Sequence, residues 1–338
     1  MKTTDFAKSL KMFLGDYLPK IRNVSSHTIS SYRDAFRLLL TFCLEEVKIK
    51  PDKLSLNNFS TEFITRFLEW LEVKRSCSIA TRNQRLVAIH TFFRYVQVQE
   101  PEQLHLSQQI LQIPYKKHPP KLIRHLTPEQ IKELLATPNS KTESGRRNLT
   151  ILSVLYDTGA RVQELCDLKV RDIRLEKPAM ITLTGKGSKT RNVPILGNTV
   201  TLLKQYMAEK NLLKSNSKLD FPLFFNQRYE KLSRGGVSYI LKKYSSIILK
   251  SNPCQAFQDL TPHVLRHSKA MHLYQAGVNL IYIRDILGHV DLATTDIYAR
   301  MDMESKHRVL ENAFPEITSE ELPDWNRDEK LLGFLNSL

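Results

Sequence analysis

Pro114, Pro119 and Pro120 stand inside a stretch at 112–125, QIPYKKHPPKLIRH, that also holds Lys116, Lys117, His118 and Lys121. Proline fixes φ and donates no backbone hydrogen bond, so neither a helix nor a central strand runs through such a stretch. The residues on either side must therefore fold as separate bodies, joined by a stiff, extended, basic linker. A chain of 338 residues agrees, since domains of ~100–200 residues make two the natural number. Four parts are expected: a helical domain over 1–110, the linker over 111–125, a second domain over 126–315 and an acidic tail over 316–338.

The first part reads as helical. Ser25 and Ser26 cap a helix in which Ile29, Tyr32, Phe36, Leu39 and Leu40 recur at helical spacing. Residues 59–72 place Phe63, Phe67, Leu68 and Leu71 on one face. Residues 78–96 do the same with Ile79, Leu86, Ile89, Phe93 and Val96, leaving Arg82, Gln84 and Arg85 on the polar side, and Pro101 is expected to end the helical region. The N-terminus, broken by Lys8, Lys11 and Asp16, reads as an amphipathic helix rather than a signal peptide. No apolar run approaches the ~18 residues of a membrane span, and no membrane partner is expected.

In the second part, Thr127-Pro128-Glu129-Gln130 starts a helix. An apolar segment at 149–156 ends at Thr158-Gly159, and another helix begins near Ala160. Residues 180–195 alternate on both sides of a Gly-Lys-Gly-Ser turn, which predicts a β-hairpin with Lys186 at its tip. After 198 the pattern is helical again, with a polar loop at 214–220. The expected class is mainly α with a small β-hairpin. The tail ends with Leu331, Phe334, Leu335 and Leu338 at the spacing of an apolar docking helix.

Lys and Arg number 50 against 35 Asp and Glu, a net charge of +15. Residues 1–120 carry +7, residues 121–310 carry +13 and residues 311–338 carry −5. Two basic bodies point to a polyanion, nucleic acid ahead of an anionic membrane surface. Candidate contacts to a phosphate backbone are Arg82 and Arg85, the linker's Lys116, Lys117 and Lys121, and Arg234 just before Gly235-Gly236. The four cysteines (43, 77, 166 and 254) form no C-x-x-C pair, so neither a disulfide framework nor a zinc site is expected, and a reducing compartment fits.

Four stretches stand apart: T-G-A-R-V-Q-E-L at 158–165, the Lys186 hairpin, T-P-H-V-L-R-H at 261–267, and L-G-H at 287–289 followed by T-T-D-I-Y at 294–298. Each has an ordinary reading. Arg161 and Glu164 could form a surface ion pair, Lys186 could be a turn lysine, His263 could decorate a helix start and Tyr298 could be a half-buried aromatic. Together, two Arg, two His, one Lys and one Tyr make a poor metal cage and a good phosphate cage. Arg offers a planar fork to two phosphate oxygens at any working pH, and fixed cations act most strongly on a five-coordinate phosphorane. A phenol is a weak nucleophile near neutral pH unless assisted. His263 would serve as its base and Lys186 as the acid for the leaving oxygen.

These motifs, in this order and with Tyr298 nine positions after His289, resemble the tyrosine recombinase (phage integrase) family. The resemblance covers most of the chain. It implies a helical, SAM-like core-binding domain over about 1–110, including T-R-N-Q-R-L at 81–86, and a mixed α+β catalytic domain of the DNA breaking-rejoining type over about 125–315. It further implies that Arg161 and Arg266 clamp the scissile phosphate, with Lys186 as general acid, His263 as proton acceptor, Glu164 in support, His289 as a hydrogen-bond donor and Tyr298 as the nucleophile forming a 3′-phosphotyrosyl link. No metal ion, ATP or other cofactor is implied. Its partners would be double-stranded DNA carrying specific sites and further copies of the chain, a tetramer acting in the cytoplasm at the nucleoid. After H-V-L-R-H the chain has Ser268-Lys269-Ala270, where an uncharged Thr or Phe is expected at 269. That departure and the tail tilt the biological role towards integration, excision or transposition of a mobile element, with chromosome-dimer resolution as the alternative.

Rival readings remain at this point. A type IB topoisomerase shares the chemistry but needs no partner site and can act as a monomer, so the C-terminal docking helix and the separate helical N-terminal domain argue against it. A DNA-binding regulator on the same fold would tolerate loss of Tyr298. A metallohydrolase could use His263 and His267, four apart, but Val264 stands where a general-base Glu would be needed.

Overall fold

The computed structural model describes residues 4–117, 123–213, 218–251 and 254–288, together with Thr295, Tyr298, Gly333, Asn336 and Ser337. The chain divides into two compact units, Met1–Lys121 and Leu122–Leu338.

In the first unit, α1 (Asp5–Met12) runs directly into a π-helical stretch, Phe13–Ile21, followed by α2 (Ser26–Phe42), α3 (Thr61–Val73), α4 (Ile79–Gln99) and α5 (Leu104–Leu111). The hydroxyls of Ser25, Ser60 and Ser78 each accept the backbone N–H three residues on, so α2, α3 and α4 start where the local sequence says they should. The core is aromatic. Phe92 is fully buried and receives Phe6, Phe13 and Phe36 edge-on, with ring centroids 5.7, 5.4 and 5.1 Å away.

Two expectations are corrected here. The helical region does not end at Pro101. Proline opens the short turn Pro101–Gln103, where its missing N–H costs nothing, and the chain turns into α5. Nor does the polar side of α4 leave Arg82 open to solvent, because residues 113–117 lie across it there, although Gln84 is exposed. Ile113 is buried in the first unit's core, and Asn83 clamps Lys116, donating to its carbonyl at 2.8 Å and accepting from its N–H at 3.1 Å. Arg82, only 5% exposed, donates to the Pro114 carbonyl at 3.4 Å and lies 3.5 Å from Glu72, which also accepts from Lys116 Nζ at 2.8 Å. Arg85 is half-buried and donates to the Ser31 carbonyl. The start of the linker is thus part of the first unit. Lys117 is exposed; Lys121 lies outside the described residues.

In the second unit, α6 (Pro128–Ala136) starts with a capping box between Thr127 and Gln130. Helix α7 (Glu143–Thr158) is buried on nearly every side from Thr150 onward, polar Thr150, Ser153, Asp157 and Thr158 included, and packs against α6, α8 (Val162–Asp167), α9 (Gly197–Glu209) and α11 (Pro262–Gln275). The hairpin is present as β2 (Met180–Thr184) and β3 (Thr190–Pro194), and β1 (Ile173–Arg174), not foreseen, adds an antiparallel edge to β2. Ile181 faces Val193 and Leu183 faces Arg191 across the ladder, so Arg191 shares the inward face of three buried aliphatics. Helix α10 (Arg234–Ser251) begins at the exposed Arg234, and α12 (Leu280–Leu287) follows α11. Leu331, Phe334, Leu335 and Leu338 of the expected docking helix lie outside the described residues. No helix among the described residues is long and apolar enough to cross a membrane.

Truncating the hub of the first core, Phe92→Ala, is expected to cost about 3–5 kcal/mol in denaturant unfolding, because its ring contacts with Phe6, Phe13, Phe36, Phe93 and Tyr95 are lost and a cavity opens.

Candidate active site

Helix α7 stops at Gly159, which takes a left-handed φ of 57°. A side chain there would also come within 2.7 Å of Leu287 Cδ2, so both backbone and space call for glycine. Two residues on, Arg161 has extended backbone at the N-cap of α8 rather than a position inside a helix. The nearly buried carboxylate of Glu164 accepts its backbone N–H at 2.9 Å and its Nη1 at 2.8 Å. From β3, Arg191 donates both Nη atoms to the same carboxylate, at 3.0 and 2.7 Å, a bidentate pair. Burial works to raise the Glu164 pKa. The hydrogen bonds and charge of Arg191, with the Arg161 contacts, outweigh it and hold the carboxyl below its ordinary range.

Three arginines converge on the end of α12. Arg191 Nε donates to the Ile286 carbonyl at 2.8 Å, Arg266 Nη2 to that of Leu287 at 2.6 Å and Arg161 Nη2 to that of Gly288 at 3.0 Å. A helix C-terminus leaves such carbonyls without intrahelical partners and carries partial negative charge, so the cations satisfy them and complement the dipole. Arg266 also donates Nη1 to the Gly159 carbonyl at 2.7 Å, tying the end of α7 to the end of α12. Burial, then the charge of Arg161, lowers the Arg266 pKa to about 10, which leaves it charged at neutral pH. Bonds among the described residues use two of the five N–H donors on each of Arg161 and Arg266.

His263 is exposed on the first turn of α11, its pKa lowered by partial desolvation and then by Arg266 and Arg161. One turn further along, His267 Nδ1 is 2.8 Å from the hydroxyl of Tyr298. Burial, followed by the charges of His263, Arg266 and His125, pushes His267 down to about 4, so it is neutral and can accept a hydrogen bond from the phenol through Nδ1. Tyr298 is 1% exposed; burial raises its pKa to about 12, against the charge of Arg266. The backbone of Lys186 forms the turn between β2 and β3. A Cβ on its neighbour Gly185 would sit 3.1 Å from Glu164 Oε1 and 3.8 Å from Arg161 Nη1, so the hairpin's base abuts the arginine cluster. The Lys186 side chain is not described, and His289 lies outside the described residues.

Of the residues singled out by sequence, Arg161, Glu164, His263, Arg266 and Tyr298 come together in one region of the second unit, and two more join them. Arg191 had a signal: an arginine at an inward register position of a half-buried strand needs a carboxylate partner. His267 had a weaker one, its spacing of four from His263. Lys269 is nearly buried, with Nζ 3.3 Å from Asp157 Oδ1 and over the Tyr156 ring, so its charge is compensated within this chain rather than misplaced. No group of three or more metal-ligating side chains occurs among the described residues.

Residues 124–305 match the family model of the phage integrase family, and residues 11–100 match that of the phage integrase N-terminal SAM-like domain. The chain belongs to the phage integrase family, the tyrosine recombinases, which are DNA strand transferases. It is 36% identical over 337 residues to the putative integrase/recombinase y4rC of Sinorhizobium fredii, covering 100% of this chain and 99% of that relative. A tyrosine recombinase XerC of Roseiflexus castenholzii is 33% identical over 294 residues, 86% of this chain and 88% of that one. Among solved structures, XerH site-specific recombinase bound to palindromic difH substrate, a post-cleavage complex, has a TM-score of 0.68 at 26% identity, covering 91% of this chain and 84% of that chain.

The depressed Glu164 carboxyl sets a pH dependence. Its contribution to stability is full above the ordinary value of 4.5 and is lost as pH falls through the lower folded value. Glu164→Gln is expected to cost about 3 kcal/mol at pH 7, by leaving two guanidinium groups short of their counter-charge. The gap to wild type, read from denaturant midpoints, should narrow progressively below pH 4.5.

Proposed function

We propose that this tyrosine recombinase serves a mobile element, integrating and excising it by exchange of DNA strands at specific sites. The observation that carries this role is the end-to-end match to an integrase/recombinase, tail included, at 36% identity. XerC relatives are matched over a smaller share of this chain, such as 86%. They support chromosome-dimer resolution as the second reading.

Double-stranded DNA with recombination sites is the substrate, as for the XerH complex named above. Four copies act on two such sites. In the cleavage step, Arg161 and Arg266 direct their remaining N–H donors at the non-bridging oxygens of the scissile phosphate. The Tyr298 oxygen attacks phosphorus, the bond from phosphorus to the 5′ oxygen breaks, and a 3′-phosphotyrosyl link replaces it. The phenol proton passes to His263, and Lys186 supplies one to the departing 5′ oxygen, with His289 donating a hydrogen bond to the phosphate. Attack by an incoming 5′ hydroxyl reverses every transfer, so one phosphate ester is stored as another. Arg234 and Lys117 are exposed and suited to contact the DNA backbone. Arg82, Arg85 and Lys116 have protein partners to leave before they could do so.

Incubation with nicked duplexes, drawn from DNA flanking the gene and from a chromosome-dimer resolution site, tests the reading. Wild type is expected to form a covalent adduct at a 3′ phosphate in the flanking DNA, and Tyr298→Phe none, with binding nearly unchanged. Adduct formed only on the resolution site would transfer the role to dimer resolution, and adduct retained by Tyr298→Phe would remove Tyr298 as nucleophile. Arg161→Lys should lose at least about a hundredfold in cleavage rate, because an ammonium lacks the two-point fork. Affinity should fall steeply between low and moderate salt.

A further inference from the structure

Helix α11 presents His263, then Arg266 and His267, then Ala270 and Met271 along one stripe, as residues three and four apart do. The outer end of the stripe is open: His263 is exposed, and the neighbouring Arg161 side chain is 37% exposed. The inner end is closed, with Ala270 and Met271 essentially inaccessible. Tyr298 belongs to the inner end. Its ring packs in one cluster with Ala270, Met271, Ile283 and Leu287, and its hydroxyl meets His267 rather than His263. The rings of His263 and His267 are 6.4 Å apart, so the hydroxyl is anchored a helical turn inward from the residue at the mouth.

We propose that His267 is a positioning residue that latches the Tyr298 hydroxyl in a buried resting place, so that strand cleavage requires the phenol to be released from it. This rests on the reading of Tyr298 as the nucleophile. While that oxygen is held on His267 and the ring is 1% exposed, the phenol is closed to a phosphate arriving from the open end, although Arg266 lies within electrostatic reach of it. A proton-accepting role fits His267 less well: a base is most effective with a pKa near the working pH, and burial among His263, Arg266 and His125 makes this imidazole a weak one. As a neutral acceptor of one hydrogen bond it is well placed to hold the phenol and poorly placed to ionise it. The latch keeps a reactive oxygen out of solvent until binding energy from DNA is available to displace it.

Acetylation of the full-length protein with N-acetylimidazole, read at each tyrosine by peptide mass spectrometry, tests the latch without DNA. Tyr239, 69% exposed, is the internal reference. In wild type, Tyr298 is expected to react far more slowly than Tyr239. His267→Leu, which keeps bulk and removes the acceptor, should raise the relative rate at Tyr298 roughly tenfold, the worth of one such hydrogen bond. His267→Asn sets an oxygen near the Nδ1 position and should restore protection. His267→Gln sets its oxygen one bond further out; it should also lose protection and serves if the leucine variant does not fold. Unchanged protection in both acceptor-displaced variants would mean that packing alone holds the ring, and the latch is overturned. On a nicked duplex, the acceptor-displaced variants should form adduct faster than wild type; slower formation would instead make His267 a promoter of the step. Acetylation does not depend on which residue attacks DNA, so failure of the nucleophile assignment, seen as adduct formed by Tyr298→Phe, is read separately.

Discussion

The carboxylate of Glu164 is the point on which the second unit's chemistry depends. It is buried, and it is held ionised by two guanidinium groups from different elements, Arg161 at the start of α8 and Arg191 on β3. Those arginines, oriented by it, then reach with Arg266 to three successive carbonyls at the end of α12. Removing the carboxylate would leave the nearly buried Arg191 and the half-exposed Arg161 close together without their counter-charge. Removing one arginine would strand both a charge and an unsatisfied carbonyl. The network thus fixes α8, the hairpin, α11 and α12 in one arrangement by mutual need.

That arrangement also explains the two glycines at its edges. Gly159 lets α7 turn sharply enough for its carbonyl to face Arg266 while Leu287 packs against it. Gly288 ends α12 with a φ of 65°, and a side chain there would come within 2.8 Å of Arg191 Nη1. Both are positions where a Cβ would separate a guanidinium from the carbonyl it caps or from the residues packed around it. The motif letters T-G-A-R and L-G-H are therefore halves of one contact, distant in sequence and joined through arginine.

Much of this was legible from sequence because the signals were local. Serine and threonine caps set α2, α4 and α6, and alternation around Gly-Lys-Gly-Ser set the hairpin. The four motif stretches in order, with Tyr298 nine positions after His289, carried the resemblance. What escaped was non-local. Arg82 looked like a solvent-facing residue because the segment that covers it, 113–117, lies some thirty residues away and carries the basic, proline-containing composition of a linker. Arg191 sat inside the predicted hairpin at 180–195, yet its role needed the strand register and a carboxylate from another helix. The pairing of Tyr298 with His267 rather than His263 depends on which turn of α11 the ring reaches, and spacing along the chain does not encode that.

The charge of the cluster bears on what it can stabilise. Among the described residues, three guanidinium groups face the single carboxylate of Glu164, an excess of two positive charges. A phosphodiester carries one negative charge and the five-coordinate phosphorane formed from it by a phenolate carries two. A fixed dipositive site therefore gains more from the transition state than from the bound substrate, which is the condition for binding energy to appear as rate. The same cations would favour phenolate over phenol once the Tyr298 oxygen leaves its apolar surroundings, since Arg266 already acts to lower a pKa that burial raises. On the proposal that His267 latches Tyr298, release from that imidazole would exchange burial for the full field of the arginines.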